Sequence, residues 1–104
     1  MGCGLRPAAK SRVRWTEKAL GNLEAAVGYV AQDSPQAAAG LARKIHLGVE
    51  ALGQHPEIGR LGRCQGTREL VIPGTPYVIP YRVKEGVVEI LTVLHGSRKW
   101  PVKL

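Results

Sequence analysis

Phenylalanine is absent from this chain of 104 residues, and two tryptophans and three tyrosines supply all its aromatic bulk. A core without Phe rests on Leu, Ile, Val and Ala, and so few aromatics are needed for packing before they can stack on bases. Cysteine is almost as scarce. Cys3 and Cys64 are too few and too ill-placed for a zinc site, so neither metal nor cofactor is expected, and a reduced, cytoplasmic protein is the simpler reading. No apolar run approaches the roughly 20 residues that cross a bilayer, so no membrane partner is expected. The opening stretch MGCGLRPAAKSR has cations but no hydrophobic segment, and is not read as a secretory signal. Met1-Gly2-Cys3 hints at lipidation, but Arg6 stands where a myristoylation signal carries Ser or Thr.

What is present fits one small globule. Hydrophobic residues make up 44% and charged residues 22%, which excludes a disordered chain of low hydrophobicity. A chain this short buries only about two-thirds of its unfolded surface, enough for one core. Residues 1–11 are expected to be a flexible extension and residues 12–104 a single domain. The net charge is +7 and unevenly spread. Arg6, Lys10, Arg12 and Arg14 make the first fifteen residues basic. Residues 16–59 are slightly acidic, with Glu17, Glu24, Asp33, Glu50 and Glu57 against Lys18, Arg43 and Lys44. The remainder is again basic. Such a surface attracts nucleic acid or an acidic protein, although a charge of this size also serves solubility.

The order of elements reads directly from periodicity. Arg12-Val13-Arg14-Trp15 alternates as a half-buried edge strand does. Thr16 is placed to cap a helix whose stripe is Leu20, Leu23, Val27 and Val30, with Glu17 favoured in its first turn. Ser34-Pro35 then starts a second helix with the stripe Leu41, Ile45, Val49 and Leu52, stopped by Gly53 and Pro56. So short a link makes the pair an antiparallel hairpin. Residues 57–66, punctuated by Gly59, Gly62 and Gly66, read as loop.

Three strands follow, Arg68–Ile72, Tyr77–Lys84 and Val87–His95, joined at Pro73-Gly74-Thr75-Pro76 and at Glu85-Gly86. The predicted fold is α+β: a short N-terminal strand, a helix hairpin, then a three-stranded antiparallel meander with the helices on one face (β-α-α-β-β-β). The last strand, β-branched and apolar in character, is expected to be buried on both faces. It ends at Gly96 in a cationic and aromatic cluster of His95, Arg98, Lys99 and Trp100. Pro80 conflicts with this plan, since it has no N–H for a ladder bond, and a local break in pairing is expected there.

Four segments carry a resemblance: VRWTEKALGNLEAAVGYV, HPEIGRLG, RELVIPGTPYVIPYRV and VEILTVLHGSRKWP. In this order and spacing they resemble the RelE/ParE superfamily of type II toxin–antitoxin toxins over about residues 12–101. The resemblance implies a growth-inhibiting toxin silenced by an antitoxin whose C-terminal segment folds against it. It also implies one of two activities. RelE-like members are metal-independent endonucleases that cut messenger RNA on the ribosome. ParE-like members are regarded as poisons of DNA gyrase that act by binding.

Cleavage by the ribose 2′-oxygen needs a base, cations around the pentavalent phosphate and an acid for the leaving oxygen. In RelE-like nucleases two lysines before the hairpin, an arginine early in the next strand and an arginine after the last strand supply much of this. Here the lysine positions fall near Glu69 and Val71, and the early arginine falls at Val78. Only Arg98 matches, with His95 as an alternative base. The departure favours the ParE-like branch.

If the chain is a ribonuclease, His95 and Arg98 are its catalytic candidates; otherwise His95 is a hydrogen-bonded strand-end residue. The candidate contacts to target or antitoxin are Arg60, Arg63, Arg68, Tyr81, Arg82, Arg98 and Trp100, with Tyr81 and Trp100 better suited to packing. His46 and His55 read as surface residues, and Tyr77 as an anchor of its hairpin. The helix stripes are core first, their edges belonging to the antitoxin groove. The reading is a ParE-like toxin, binding gyrase, with an antitoxin acidic in its binding segment. Its alternatives are a ribosome-dependent nuclease and a non-toxic, basic RNA-binding module.

Overall fold

A computed structural model describes residues 12–96. The elements are β1 (Arg12–Trp15), α1 (Glu17–Asp33), α2 (Pro35–Gln54), β2 (Arg60–Leu61), β3 (Arg68–Val71), β4 (Tyr77–Lys84), β5 (Val87–Ile90) and β6 (Leu94–His95). The expected 1–11 extension, and the expected contacts Arg98 and Trp100, lie outside the described residues.

Both helices begin where the sequence places their caps. The Thr16 hydroxyl accepts from Ala19 N at 3.1 Å, and the Ser34 hydroxyl accepts from Ala37 N at 3.1 Å. Pro35 takes the first helical position, where no N–H is needed. The α2 stripe is core as expected: Leu41, Ile45, Val49 and Leu52 are buried. Each such side chain contributes about 1.5–3 kcal/mol on leaving water. Helix α2 also packs tightly on β3 and the residue after it, since a Cβ on Gly48 would stand 3.3 Å from Leu70 Cδ2 and 2.9 Å from Ile72 Cδ1. The α1 stripe departs from expectation at one position. Leu20 is exposed, and its neighbour Ala19 is buried in its place. Leu23, Val27 and Val30 pack against the core only in part.

The sheet is mixed, in the order β1-β5-β4-β3-β2, with β6 off this path against β4. Strand β1 runs parallel to β5, whereas the β2–β3, β3–β4 and β4–β5 pairs are antiparallel. The core therefore carries the meander expected from sequence, extended at both margins. Residues 57–66 are not all loop, because Arg60 and Leu61 pair with Glu69 and Arg68. The β4–β5 hairpin turns on Glu85 (φ 52°) and Gly86 (φ 78°), the two positive φ values of a two-residue hairpin turn.

The stretch 87–95 is not one strand buried on both faces. In β5, Val88 and Ile90 are buried while Val87 and Glu89 are partly open. Pairing then fails beside Pro80. Between the pairs Tyr81↔Ile90 and Val78↔Leu94, the residues Ile79 and Pro80 face Leu91, Thr92 and Val93, a bulge of one extra residue. The Pro80 carbonyl accepts from Leu91 N at 3.0 Å, but Pro80 has no N–H to return. On its other side Pro80 stays in register with Glu69 of β3. The expected break is thus confined to one side.

Helix α1 holds the bulge in place. The Thr16 hydroxyl shares its proton between the carbonyls of Ile90 (3.0 Å) and Leu91 (3.2 Å). Thr92, itself buried, donates to Asn22 Oδ1.

The two caps consequently differ in weight. Ser34→Ala should cost about 1 kcal/mol, the usual value for a lost cap. Thr16→Ala should cost about 2 kcal/mol, because it also removes the hydroxyl that donates to the Leu91 carbonyl, while Ile90 keeps the Thr16 backbone N–H. Urea unfolding of both variants checks the order, and equal midpoints would contradict it.

Candidate interaction site

Strand alternation sorts the sheet residues onto two faces. Leu70, Ile72, Ile79, Tyr81, Val88 and Ile90 face the helices and form the core. Arg14, Glu89, Arg82, Pro80, Glu69, Val71 and Val78 therefore occupy the opposite face. The cross-strand pairs Arg14↔Glu89, Arg82↔Glu89, Glu69↔Pro80 and Val71↔Val78 tie them together.

Two carboxylates organise the arginines of that face. Glu69 is buried, and its Oε1 accepts from Arg60 Nε at 3.1 Å. Its Oε2 accepts from the backbone N of Arg63 at 2.9 Å, with the Arg63 guanidinium 3.9 Å away. Glu89 accepts from Arg82 Nε at 2.6 Å and lies 3.4 Å from Arg14 Nη2. The hydrogen bond from Arg82 and the guanidinium charges hold the Glu89 carboxyl below its ordinary range.

The expected contact residues are thus not one patch. Arg60 and Arg63 meet at Glu69, while Arg82 joins Arg14, which sequence reasoning passed over. Arg68 lies on the helix side of the sheet, opposite Tyr81 in register. Its guanidinium donates to the carbonyls of Gly59 (2.8 Å) and Glu57 (3.2 Å), pinning the loop before β2. Neither Glu69 nor Glu89 stood out in the sequence as an organising residue, because an isolated glutamate in a strand reads as a surface position.

Tyr81 is corrected outright. It has no exposed surface, so it is not a contact residue. Its hydroxyl donates to the Pro56 carbonyl at 2.6 Å and accepts from Gly59 N at 2.9 Å. Burial pushes the phenol above its ordinary value, an effect the Gly59 bond and the Arg68 charge partly offset. Gly59 is required here, since a Cβ would stand 2.5 Å from the Tyr81 oxygen.

His95 sits in β6, opposite Tyr77 in register. The two rings meet edge to face with centroids 5.5 Å apart. Tyr77 anchors its hairpin as expected and also packs on the core. Both line a groove of about 500 Å³ between the helix hairpin and the β3–β4 turn, with Lys44 of α2 on its other wall.

Tyr81→Phe should cost about 1–3 kcal/mol, since it strands the Gly59 N–H and the Pro56 carbonyl in a buried place. Denaturant unfolding at neutral pH measures it, and an unchanged midpoint would refute the account. Glu89 makes stability depend on pH. Its lowered value adds stability above the ordinary 4.5, lost as pH falls below it. Glu89→Gln should therefore flatten the acid limb of a stability–pH profile while reducing stability near neutrality.

Comparison with known proteins agrees with this architecture. The family model of the ParE toxin of type II toxin–antitoxin systems, parDE, matches residues 13–100. A candidate toxin of Sinorhizobium fredii, Y4kP, is 45% identical over 93 residues, covering 89% of this chain and 96% of its own. Toxin RelE2 of Caulobacter vibrioides is 38% identical over 88 residues, covering 85% and 98%. Among solved structures, the chromosomal ParDE system from P. aeruginosa superposes with a TM-score of 0.75 at 28% identity, covering 85% of this chain and 98% of that one. The RelBE2 toxin–antitoxin complex from Mycobacterium tuberculosis superposes with a TM-score of 0.57 at 25% identity, covering 83% and 98%. The family match spans both helices and the strands of the sheet, and the chain belongs to the ParE toxin family of type II toxin–antitoxin systems.

Proposed function

We propose that this toxin arrests growth by occupying a macromolecular target, DNA gyrase, and is neutralised by a cognate antitoxin in the cytoplasm. Among the described residues no helix is long and apolar enough to cross a membrane. The observation that carries the choice of binding over cleavage is the cross-strand set Glu69, Val71 and Val78. These positions, where RelE-like nucleases resemble one another in carrying cations, hold a buried carboxylate, an exposed valine and a buried valine on the sheet face away from the helices. A pentavalent phosphate there would meet no cation from any of the three. Preorganised charge of that kind contributes several kcal/mol to phosphoryl transfer, so its loss weighs heavily against catalysis.

The surrounding guanidiniums favour the same reading. Arg60 and Arg63 gather on Glu69, and Arg14 and Arg82 on Glu89, so one sheet face presents two clusters of net positive charge. Such clusters suit recognition of an acidic partner surface. An antitoxin as partner is supported by the neighbouring ParDE and RelBE2 systems and by the basic character of the chain.

Expression should stop growth, and co-expression of the adjacent gene should restore it. Purified toxin should block gyrase supercoiling and leave ribosome-bound message intact. Message cleavage without gyrase inhibition would reverse the assignment. His95→Ala should retain most of the toxicity, and its complete loss in a folded variant would favour the nuclease.

A further inference from the structure

The β4–β5 hairpin and the edge strand beside it carry more cations than the ion pairs of the sheet engage. Two cross-strand rows run over the face away from the helices: Arg12, Val87 and Lys84 in one, Arg14, Glu89 and Arg82 in the next. Strand geometry puts the outer members of a row about 10 Å apart and the rows about 7 Å apart. The four cations thus mark the corners of a small rectangle. All four are exposed, the side chains of Arg14 by 68% and of Arg82 by 48%.

One acid stands among them. Glu89, at the middle of its row, accepts from Arg82 Nε and lies against Arg14 Nη2. A guanidinium has five N–H donors, and this bond uses one of those on Arg82. Arg12 and Lys84 form no ion pair among the described residues. Lys84 nonetheless belongs to the same cluster, since after the Arg82 hydrogen bond its charge joins those of Arg82 and Arg14 in lowering the Glu89 carboxyl. Glu85 lies in the turn beyond Lys84, and with it counted the four cations meet two acids.

That composition suits a phosphate backbone better than a protein surface. A protein interface is anchored by large side chains entering a pocket, whereas the one apolar residue of the rectangle is the half-buried Val87. Single-stranded nucleic acid is held by aromatic rings, and Trp15, Tyr77 and Tyr81 all pack on the helix side. A duplex needs no such ring. About 10 Å of its axis carries about six phosphates.

We propose that the hairpin end of the sheet, through Arg12, Arg14, Arg82 and Lys84, binds the phosphate backbone of a nucleic-acid duplex without reading its sequence. The inference goes beyond the target reading above, because the ligand is the nucleic acid itself and gyrase takes no part in the contact. Phosphate contacts fix a protein's position on a duplex and leave the bases unread.

The test titrates full-length toxin into short labelled duplexes of DNA and of RNA, with anisotropy read between about 50 and 200 mM salt. Four phosphate contacts give log K against log salt a slope of about −3.6 on DNA, a loss of about 150-fold over that range. Arg12→Ala combined with Lys84→Ala removes two contacts at side chains without ion pairs. Its melting temperature should hold, while the slope falls to about −1.8 and the loss to about 12-fold. Lys18→Ala combined with Arg43→Ala removes the same charge from exposed helix positions and should keep the wild-type slope. Binding to either duplex with this pattern supports the patch, and the tighter duplex identifies the source of the backbone. An unchanged slope in the Arg12 and Lys84 variant, or an equal fall in both variants, would overturn it, as would no binding to either duplex. Gyrase inhibition is read in a separate assay, so its failure and the failure of this patch are distinguishable.

Discussion

One missing hydrogen-bond donor shapes the functional end of this fold. Pro80 occupies the middle of the central strand and accepts from Leu91 without returning a bond. The last strand answers with one extra residue, and everything after Ile90 is displaced by that insertion. A bulge of this kind is unstable unless its loose carbonyls are claimed. Thr16 claims two of them while capping α1, and Asn22 receives Thr92. The start of the first helix and the bend of the last strand are therefore one unit. Without it, β6 would lack the register that sets His95 against Tyr77.

The same physical logic governs the charges. A count of arginines suggests a cationic face open to phosphate, but the carboxylates decide what the arginines can do. Glu69 is too buried to exist as an uncompensated anion, so two guanidiniums and a backbone N–H converge on it. Glu89 does the same for Arg14 and Arg82 across three strands. Each cluster keeps an excess of positive charge, so the face stays cationic toward an acidic partner surface.

Much of this was legible in the sequence, where the determinant is local. The caps at Thr16 and Ser34, the proline after the second cap, the α2 stripe and the Glu85-Gly86 turn all act within a few residues, and they appear where patterning places them. The conflict at Pro80 was legible too, because a missing N–H is a property of the residue itself. What escaped depends on contacts remote in sequence. Leu20 has the right spacing for the α1 stripe, but in a helix whose cap Thr16 is tied to Ile90 and Leu91 it is Ala19 that faces the core. Tyr81 reads as an available aromatic until the Pro56–Gly59 loop is folded over its hydroxyl. The pairing of Arg60-Leu61 with β3 needs no periodicity in two residues, only the pull of Arg60 toward Glu69.

The two sides of the sheet consequently have opposite chemistry. On the face away from the helices, guanidiniums gather on two carboxylates, and the valines Val71 and Val78 lie beside them toward the β3–β4 turn. On the helix side, at the β3–β4 turn, the Lys44 ammonium lies beside a groove lined by Leu41 and Tyr77. Desolvating a pre-paired guanidinium requires no change of partner, so the first face can meet a folded surface without rearrangement.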